Sequence, residues 1–347
     1  MRGKYLNLRR AVICLLVSMA LGALAFYLLR DQINNGITLD HFTRSKPNAE
    51  KIKEPVVPYP GWNDKKRQRA LAVVIDNAPE ARPQSGLEQA DIIIELPVEG
   101  GLTRLLAIIS GENQELVGPI RSARSYIVDL AREYNSILVH AGGSPDALET
   151  IDREGIENLD EIYGNSEAAA AFWRVPDRPK PHNLYASSDS LRRSAKALKY
   201  DLGTPPPQHP TFKPDTEMTG ESISDVTIFY ANRKSLVRYV FNKEKRVFER
   251  YMEEKPHLTA KGEQLTGANV IVQYVPYQYI DGDGRLQLIM HGSGQALVFS
   301  DGKVIKGLWQ KNPGGHARYT DLKGKTIALM EGPTWIEVVP KGTRVEY

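Results

Sequence analysis

From Arg69 onward the chain alternates short apolar runs with polar breaks. Ala70 to Asp76, Asp91 to Leu96 and Leu102 to Ile109 are rich in Ile, Val and Leu and are bounded by Pro, Gly and Asn, which predicts buried strands. Arg121 to Tyr134 instead places Ala123, Ile127, Leu130, Ala131 and Tyr134 at helical spacing, with Asp129, Arg132 and Glu133 off that stripe. That pattern predicts an amphipathic helix. Ser136 to His140 reads as a strand running into Gly142-Gly143-Ser144-Pro145-Asp146, where Ser144 suits an N-cap, Pro145 the first helical position and Asp146 the first turn. After a loop-rich stretch holding Phe172 and Trp173, Ser188 to Tyr200 predicts a helix with Leu191, Ala195 and Leu198 inward. Strands alternating with helices imply an α/β layer ending near residue 200.

Prolines at 205, 206, 207, 210 and 214 exclude a helix or central strand between Gly203 and Glu221, so this stretch is expected to connect two domains. Beyond it the pattern is mostly strand-like: Val226 to Tyr230, Leu236 to Phe241 and Val247 to Met252, with Asn242 to Lys245 as a hairpin loop. Asp301-Gly302 divides Ala296–Ser300 from Lys303–Trp309 and is a strong hairpin signal. The expected fold is an α/β N-terminal domain (59–202), a Pro-rich connector (203–221) and a mainly antiparallel β C-terminal domain (222–347), a small barrel or curved sheet.

The first residues concern the compartment. Arg2, Lys4, Arg9 and Arg10 precede a run from Ala11 to Leu29 without a charged residue, and Arg30 follows it. Nineteen such residues at about 1.5 Å each nearly span a hydrocarbon core of about 30 Å, and the charge asymmetry keeps the first ten residues in the cytoplasm. An N-terminal transmembrane signal anchor over 11–29 with a polar stalk over 30–58 is therefore expected, leaving the bulk extracytoplasmic. The rival is a secreted protein cleaved near Ala25, because Ala23-Leu24-Ala25 fits the small-x-small rule. Cys14 lies near the start of the apolar run behind Ala-Val-Ile, the wrong place for lipid attachment.

Charge narrows the partners. With 45 Lys and Arg against 42 Asp and Glu, the net charge of +3 provides no field that would recruit nucleic acid. A single cysteine excludes an internal disulfide and a CxxC-type zinc site. No metal site and no cofactor is identified.

Candidate chemistry concentrates between Arg82 and Ser144. Arg121 and Arg124 fall in the first turn of the predicted helix, where the dipole disfavours cations by ~0.3–1 kcal/mol each. A bound anion offsets that cost, and Arg104, Arg121, Ser122 and Arg124 with the turn Gly142-Gly143-Ser144 form the expected anion-binding set. The bland alternative is that Glu95 and Glu99 pair with these arginines, and that the glycines merely make a turn beside a buried His140. Glu95, Glu99 and His140 are the candidate catalytic groups, the two carboxylates as a glycoside-cleaving pair. Arg82, His182 and Asn183 are candidates for a supporting set. Asp281-Gly282-Asp283-Gly284 lacks a distal bidentate Glu and reads as a hairpin turn rather than a calcium loop.

The segments VVIDNAPEARPQSGLEQAD, VEGGLTRLLAI, VGPIRSARSYIVDLAREY, VHAGGSPDAL and PHNLY resemble, in order, those of the YerB-like family of exported bacterial proteins. GANVIVQYV, GQALVFSDGKVIKGLW and GPTWIEVVP extend the resemblance through the C-terminal part. Members are typically lipoproteins of unknown function, which implies an extracytoplasmic location and no assigned reaction; this sequence departs in having no lipobox. A looser likeness in style links the Arg-rich stretch to the LytR-CpsA-Psr phosphotransferases, without a residue-by-residue motif match.

The resulting expectation is a membrane-anchored cell-envelope protein that binds an anionic or carbohydrate envelope polymer through the Arg-rich set. One alternative is an envelope-polymer enzyme, either a lipid-pyrophosphate phosphotransferase using those arginines and a divalent cation or a glycan-cleaving enzyme. Another is a protein-interaction subunit of a wall-synthesis or sporulation complex.

Overall fold

The computed structural model describes residues 68–111, 115–204, 220–231, 233–282 and 284–347. The expected anchor (11–29), the stalk and most of the connector lie outside the described residues. In chain order the strands are β1 (Leu71–Asp76), β2 (Ile92–Pro97), β3 (Thr103–Ile109), β4 (Ile137–His140), β5 (Asn158–Asp160), β6 (Phe172–Arg174), β7 (Leu184–Ala186), β8 (Glu221–Ser222), β9 (Asp225–Phe229), β10 (Leu236–Asn242) and β11 (Val247–Met252). There follow β12 (Lys255–Pro256), β13 (Thr266–Gly267), β14 (Asn269–Val275), β15 (Tyr277–Tyr279), β16 (Leu286–Leu288), β17 (Gly292–Ser300), β18 (Lys303–Lys311), β19 (Arg318–Asp321), β20 (Thr334–Pro340) and β21 (Val345–Glu346). The helices are α1 (Ser125–Glu133), α2 (Pro145–Glu154), α3 (Ser166–Ala169) and α4 (Ser188–Ala197).

A mixed sheet of eleven strands among the described residues runs β19-β18-β17-β14-β20-β2-β3-β1-β4-β5, with β8 on β18. A second, antiparallel sheet of six runs β12-β11-β10-β9-β21, with β13 on β11. Every residue of β1, β2 and β3 is buried, because both faces of the large sheet are covered. The two-residue period sorts the side chains. Ala72 and Val74 of β1 join Ile127, Leu130 and Ala131 of α1 and Ala147 of α2 in one cluster. Leu71, Val73 and Ile75 belong to the other, with Leu191 and Ala195 of α4 and Val226, Val237, Tyr239 and Phe248 of the second sheet.

The α/β character of the first half and the mainly antiparallel character of the second agree with the sequence. The halves are not separate sheets, however. β20 lies parallel between β2 and β14, with Ile92 opposite Thr334 and Glu95 opposite Glu337. In place of a barrel, the second half therefore divides its strands: β14 and β17–β20 extend the large sheet, while β9–β13 and β21 form the six-stranded layer on its face. Asp301-Gly302 makes the expected hairpin, with φ of 49° and 67°. A Cβ at Gly302 would stand 2.5 Å from the Phe241 ring, so close packing as well as φ calls for glycine there. Asp281 and Gly282 lie in the loop between β15 and β16, a hairpin as expected.

The helix expected from Arg121 begins at Ser125, with Arg124 as an extended N-cap at φ −131° and ψ 154°. The preceding residues are committed elsewhere. Arg121 N–H donates to Val74 O at 2.9 Å, Ala123 N–H donates to Gly142 O at 2.9 Å, and Arg121 O accepts from Ala141 N–H at 3.0 Å. A backbone so paired to β1 and to the glycine turn cannot also make helical bonds. The five residues of the predicted stripe are nonetheless all buried.

Candidate functional site

Asp76 closes β1, and its register partner on β3 is Arg104, so both side chains leave the sheet on the side covered by α1 and α2. This is the carboxyl end of β1, the end of an α/β sheet where ligands usually bind. Asp76 is 4% exposed, and its carboxylate organises the surroundings. Oδ1 accepts the Ala78 N–H at 3.0 Å. Oδ2 lies 2.8 Å from His182 Nδ1 and 3.0 Å from Arg121 Nε. The Arg121 contact is ionic rather than a hydrogen bond, because its Nε–H is not aimed at an acceptor.

The open valences matter most. Among the described residues, the terminal nitrogens of Arg121 and Nε2 of His182 have no hydrogen-bond partner, while the side chains keep 29% and 16% of their surface exposed. Arg104 is almost wholly buried and makes one hydrogen bond, from Nη1 to Ser122 O at 2.8 Å. Burial, followed by repulsion from Arg124 and Arg121, lowers its pKa to about 10. Three arginines thus crowd two carboxylates, Asp76 and Glu99, and the surplus is positive.

Arg124 is differently placed. Its Nε and Nη2 donate to the two oxygens of Glu99 at 2.6 and 2.7 Å, and Nη1 donates to Ala123 O. Burial alone would raise the Glu99 pKa, but the Arg124 hydrogen bonds and charge hold it below the ordinary carboxylate value. A carboxylate so held is a poor general acid. Arg124 therefore supplies field, and Arg104 and Arg121 supply the free donors.

The remaining expected residues are dispersed. Gly142 N–H donates to Asp160 Oδ1 at 2.7 Å, and a Cβ on Gly142 would meet Ile162 and Tyr163 at 3.2 and 3.3 Å. Its turn is filled by the protein, as is Gly143 by Leu148. Ser144 is the N-cap of α2 without a side-chain capping bond. His140 is fully buried, with Nδ1 against Gly142 O at 2.8 Å and Nε2 against Asn158 Oδ1 at 3.1 Å. Asn183 braces its loop through Arg174 and Val175 O. Arg82 sits between the halves, bonded to Glu253 at 2.9 Å, Asn77 O and Lys234 O.

Glu95 lies on the opposite face of the sheet from Asp76. It is fully buried beside Glu337, and both carboxylates pair with the buried Arg250 of β11, the Glu337 contact at 2.8 Å. Tyr239 and Tyr230 donate to Glu337 at 2.5 and 2.9 Å, and Thr103 and Asn77 donate to Glu95 at 2.5 and 3.1 Å. Arg250 stacks on Trp335 at 4.0 Å and donates from Nε to His257 Nδ1 at 3.1 Å. Burial and the adjacent Arg250 push His257 well below its ordinary pKa, so it accepts there as neutral imidazole. Burial first, and Glu95 second, raise Glu337 to about 7. Glu95 and Glu99 thus turn to opposite sides of the sheet and form no facing carboxylate pair.

Asp76 escaped the sequence reading because it figured only as the end of a strand. The available signal was an acid closing an otherwise apolar run, beside an Asn-Ala-Pro turn.

The α/β half and the β half match the two parts of one family. The profile described as "Protein of unknown function (DUF3048) N-terminal domain" matches residues 60–201, and the profile of its C-terminal domain matches residues 226–336. The chain belongs to this family, as the YerB-like resemblance implies. It is 34% identical over 297 residues to "Putative lipoprotein YerB" of Bacillus subtilis (strain 168), covering 84% of this chain and 87% of that protein. The crystal structure of the YerB protein from Bacillus subtilis is similar, with a TM-score of 0.72 and 31% identity over 81% of this chain and 95% of that one.

Proposed function

We propose that the protein is an extracytoplasmic, envelope-associated protein that binds an anionic envelope component at the end of β1, through Arg121 and Arg104 with His182 beside them. The observation that carries this reading is the set of guanidinium nitrogens on Arg121 that no described residue partners, with Asp76 holding the group from behind. A guanidinium fork of this kind suits phosphate or carboxylate, and a charge-assisted hydrogen bond contributes about 1.5–3 kcal/mol. Ser122 takes part through its carbonyl, which fixes Arg104. Gly142, Gly143 and Ser144 have no part, since the protein itself fills their turn.

The lipoprotein name of the relative supports the location. The anchor we assign to 11–29 lies outside the described residues; among the described residues no helix is long and apolar enough to cross a membrane. Fractionation of cells carrying the full chain, with and without residues 11–29, checks the attachment, and a soluble full chain overturns it.

The binding reading is tested by titrating the full chain in mild detergent with inorganic pyrophosphate by calorimetry. Saturable binding that falls at least about tenfold in Arg121→Ala is expected. Equal binding by the variant and the wild type sinks the reading. The phosphotransferase alternative shares these arginines and is favoured by one further observation, the His182–Asp76 pair, which leaves an imidazole nitrogen free for proton transfer.

A further inference from the structure

A groove of about 390 Å³ opens along the turn that joins β2 to β3, walled on the far side by the β15–β16 hairpin and the turn after β20. We propose that it is a carbohydrate subsite, and that the ligand is an acidic oligosaccharide whose sugar rings lie in the groove while its charged groups reach the arginine site. The proposal rests on the anion-site reading for the charged end only.

Tyr277 and Tyr279, two apart on β15, line the same wall and remain 42% and 67% exposed. Their rings meet edge to face at 6.0 Å, so each keeps apolar surface toward the opening. Two large aromatic side chains held side by side in water on a short hairpin offer an apolar surface that a ligand can cover. The glycines around the groove say which kind. Gly100, Gly284 and Gly342 all lie on the groove, and a Cβ at any of them would meet nothing within 4 Å. Gly100 and Gly342 are exposed and Gly284 half-buried, so no side chain of theirs screens the backbone there from a ligand. A sugar ring has a flat C–H face that stacks on an aromatic ring and a rim of hydroxyls that bond to polar groups.

Continuity with the cations supplies the acidic character. The turn Val98–Leu102 serves both places: Gly100 and Gly101 line the groove, and Glu99 between them and Val98 holds Arg124. The hairpin touches the same spot, since Ser125 Oγ at the start of α1 donates to Gln287 Oε1 of β16 at 3.1 Å. Lys341 adds a cation to the groove itself. A chain of sugars lying along Tyr277 and Tyr279 thus lies beside the Glu99-held Arg124, whose charge and that of Lys341 favour an acidic ligand.

The test is calorimetric titration of the full chain in mild detergent with chitotetraose, a neutral tetrasaccharide, with a hyaluronan tetrasaccharide, which carries carboxylates, and with inorganic pyrophosphate. Both sugars should bind, the acidic one at least about tenfold more tightly. Tyr277→Ala/Tyr279→Ala should weaken both by at least about tenfold, leave the thermal midpoint and pyrophosphate binding unchanged, and be rescued by the double phenylalanine variant. Tyr279→Ala alone provides a milder variant, its side chain being the more exposed. Chitotetraose binding that depends on the tyrosines supports the groove even if pyrophosphate fails to bind. Absence of binding by both sugars at millimolar concentration, or sugar binding indifferent to the tyrosines, overturns it whatever pyrophosphate does.

Discussion

Two clusters of arginine and carboxylate lie on opposite faces of the same sheet, and their difference separates architecture from function. On the face toward the second sheet, Arg250 is enclosed by Glu95, Glu337, Tyr239, His257 and Trp335, and its charged atoms all have partners. On the helix side, Asp76 holds His182 and Arg121 by one edge each, and among the described residues nothing pairs with their other edges. A sealed network of this kind fixes which halves meet and in what register. A cluster with free donors beside solvent has capacity left for a ligand. Charge density alone would not have distinguished the two; completeness of hydrogen bonding does.

The strongest way to break the comparison is Arg250→Met. Removing the cation leaves two buried carboxylates facing each other, and a loss of about 3–5 kcal/mol in urea unfolding is expected. A loss under about 1 kcal/mol would mean that the network is not what joins the halves. Next in size is a pH effect from Glu337. Its folded pKa of about 7 stands above the ordinary 4.5, so the unfolded chain releases this proton first as pH rises. The stabilisation is fully present below about pH 4.5 and is lost as pH rises through about 7, a change on the order of 3 kcal/mol. Unfolding free energies at several pH values should show that slope, and Glu337→Gln should flatten it.

Asp76→Asn sharpens the other side. It keeps an oxygen for the Ala78 amide but discards the charge that holds Arg121 and His182. Pyrophosphate affinity should change by about tenfold while stability shifts by no more than about 1 kcal/mol. The reverse result would make this cluster structural too. The smallest effect concerns two helix starts. Ser187 and Ser190 make a reciprocal capping box at α4, whereas Ser144 at α2 makes no side-chain capping bond. Ser187→Ala should cost about 1 kcal/mol and Ser144→Ala under about 0.5 kcal/mol by chemical denaturation.

Local patterns were legible because local physics produces them. The apolar runs of β1 to β3, the inward stripe of α1, the Asp301-Gly302 turn and the Ser-Pro-Asp helix start all follow from residues within a few positions of one another. The start of α1 was not legible, since Arg121 and Ala123 are held extended by Val74 and Gly142, distant in sequence. Register across the chain was equally hidden. No periodicity indicates that Glu95 meets Glu337, or that Arg250 enters between them. Of the candidate site, the arginines were visible as a cluster; Glu99, expected as a catalytic carboxylate, instead pairs with Arg124 as the bland alternative held, while Glu95, named in the same alternative, pairs with Arg250. The acid that orients Arg121 and His182 was passed over because a strand's last residue carries no pattern of its own.

The place of β20 between β2 and β14 has a consequence for biogenesis. The large sheet cannot close until residue 340 has been made, because until then both neighbours offer unpaired edges. A chain that waits so long for a parallel, distant partner folds late and slowly, and its nascent half is exposed to proteases and to stray strands. Proteolytic quality control would therefore act on this protein mainly before that strand arrives, and a truncation anywhere ahead of it would yield a sticky fragment rather than a smaller domain.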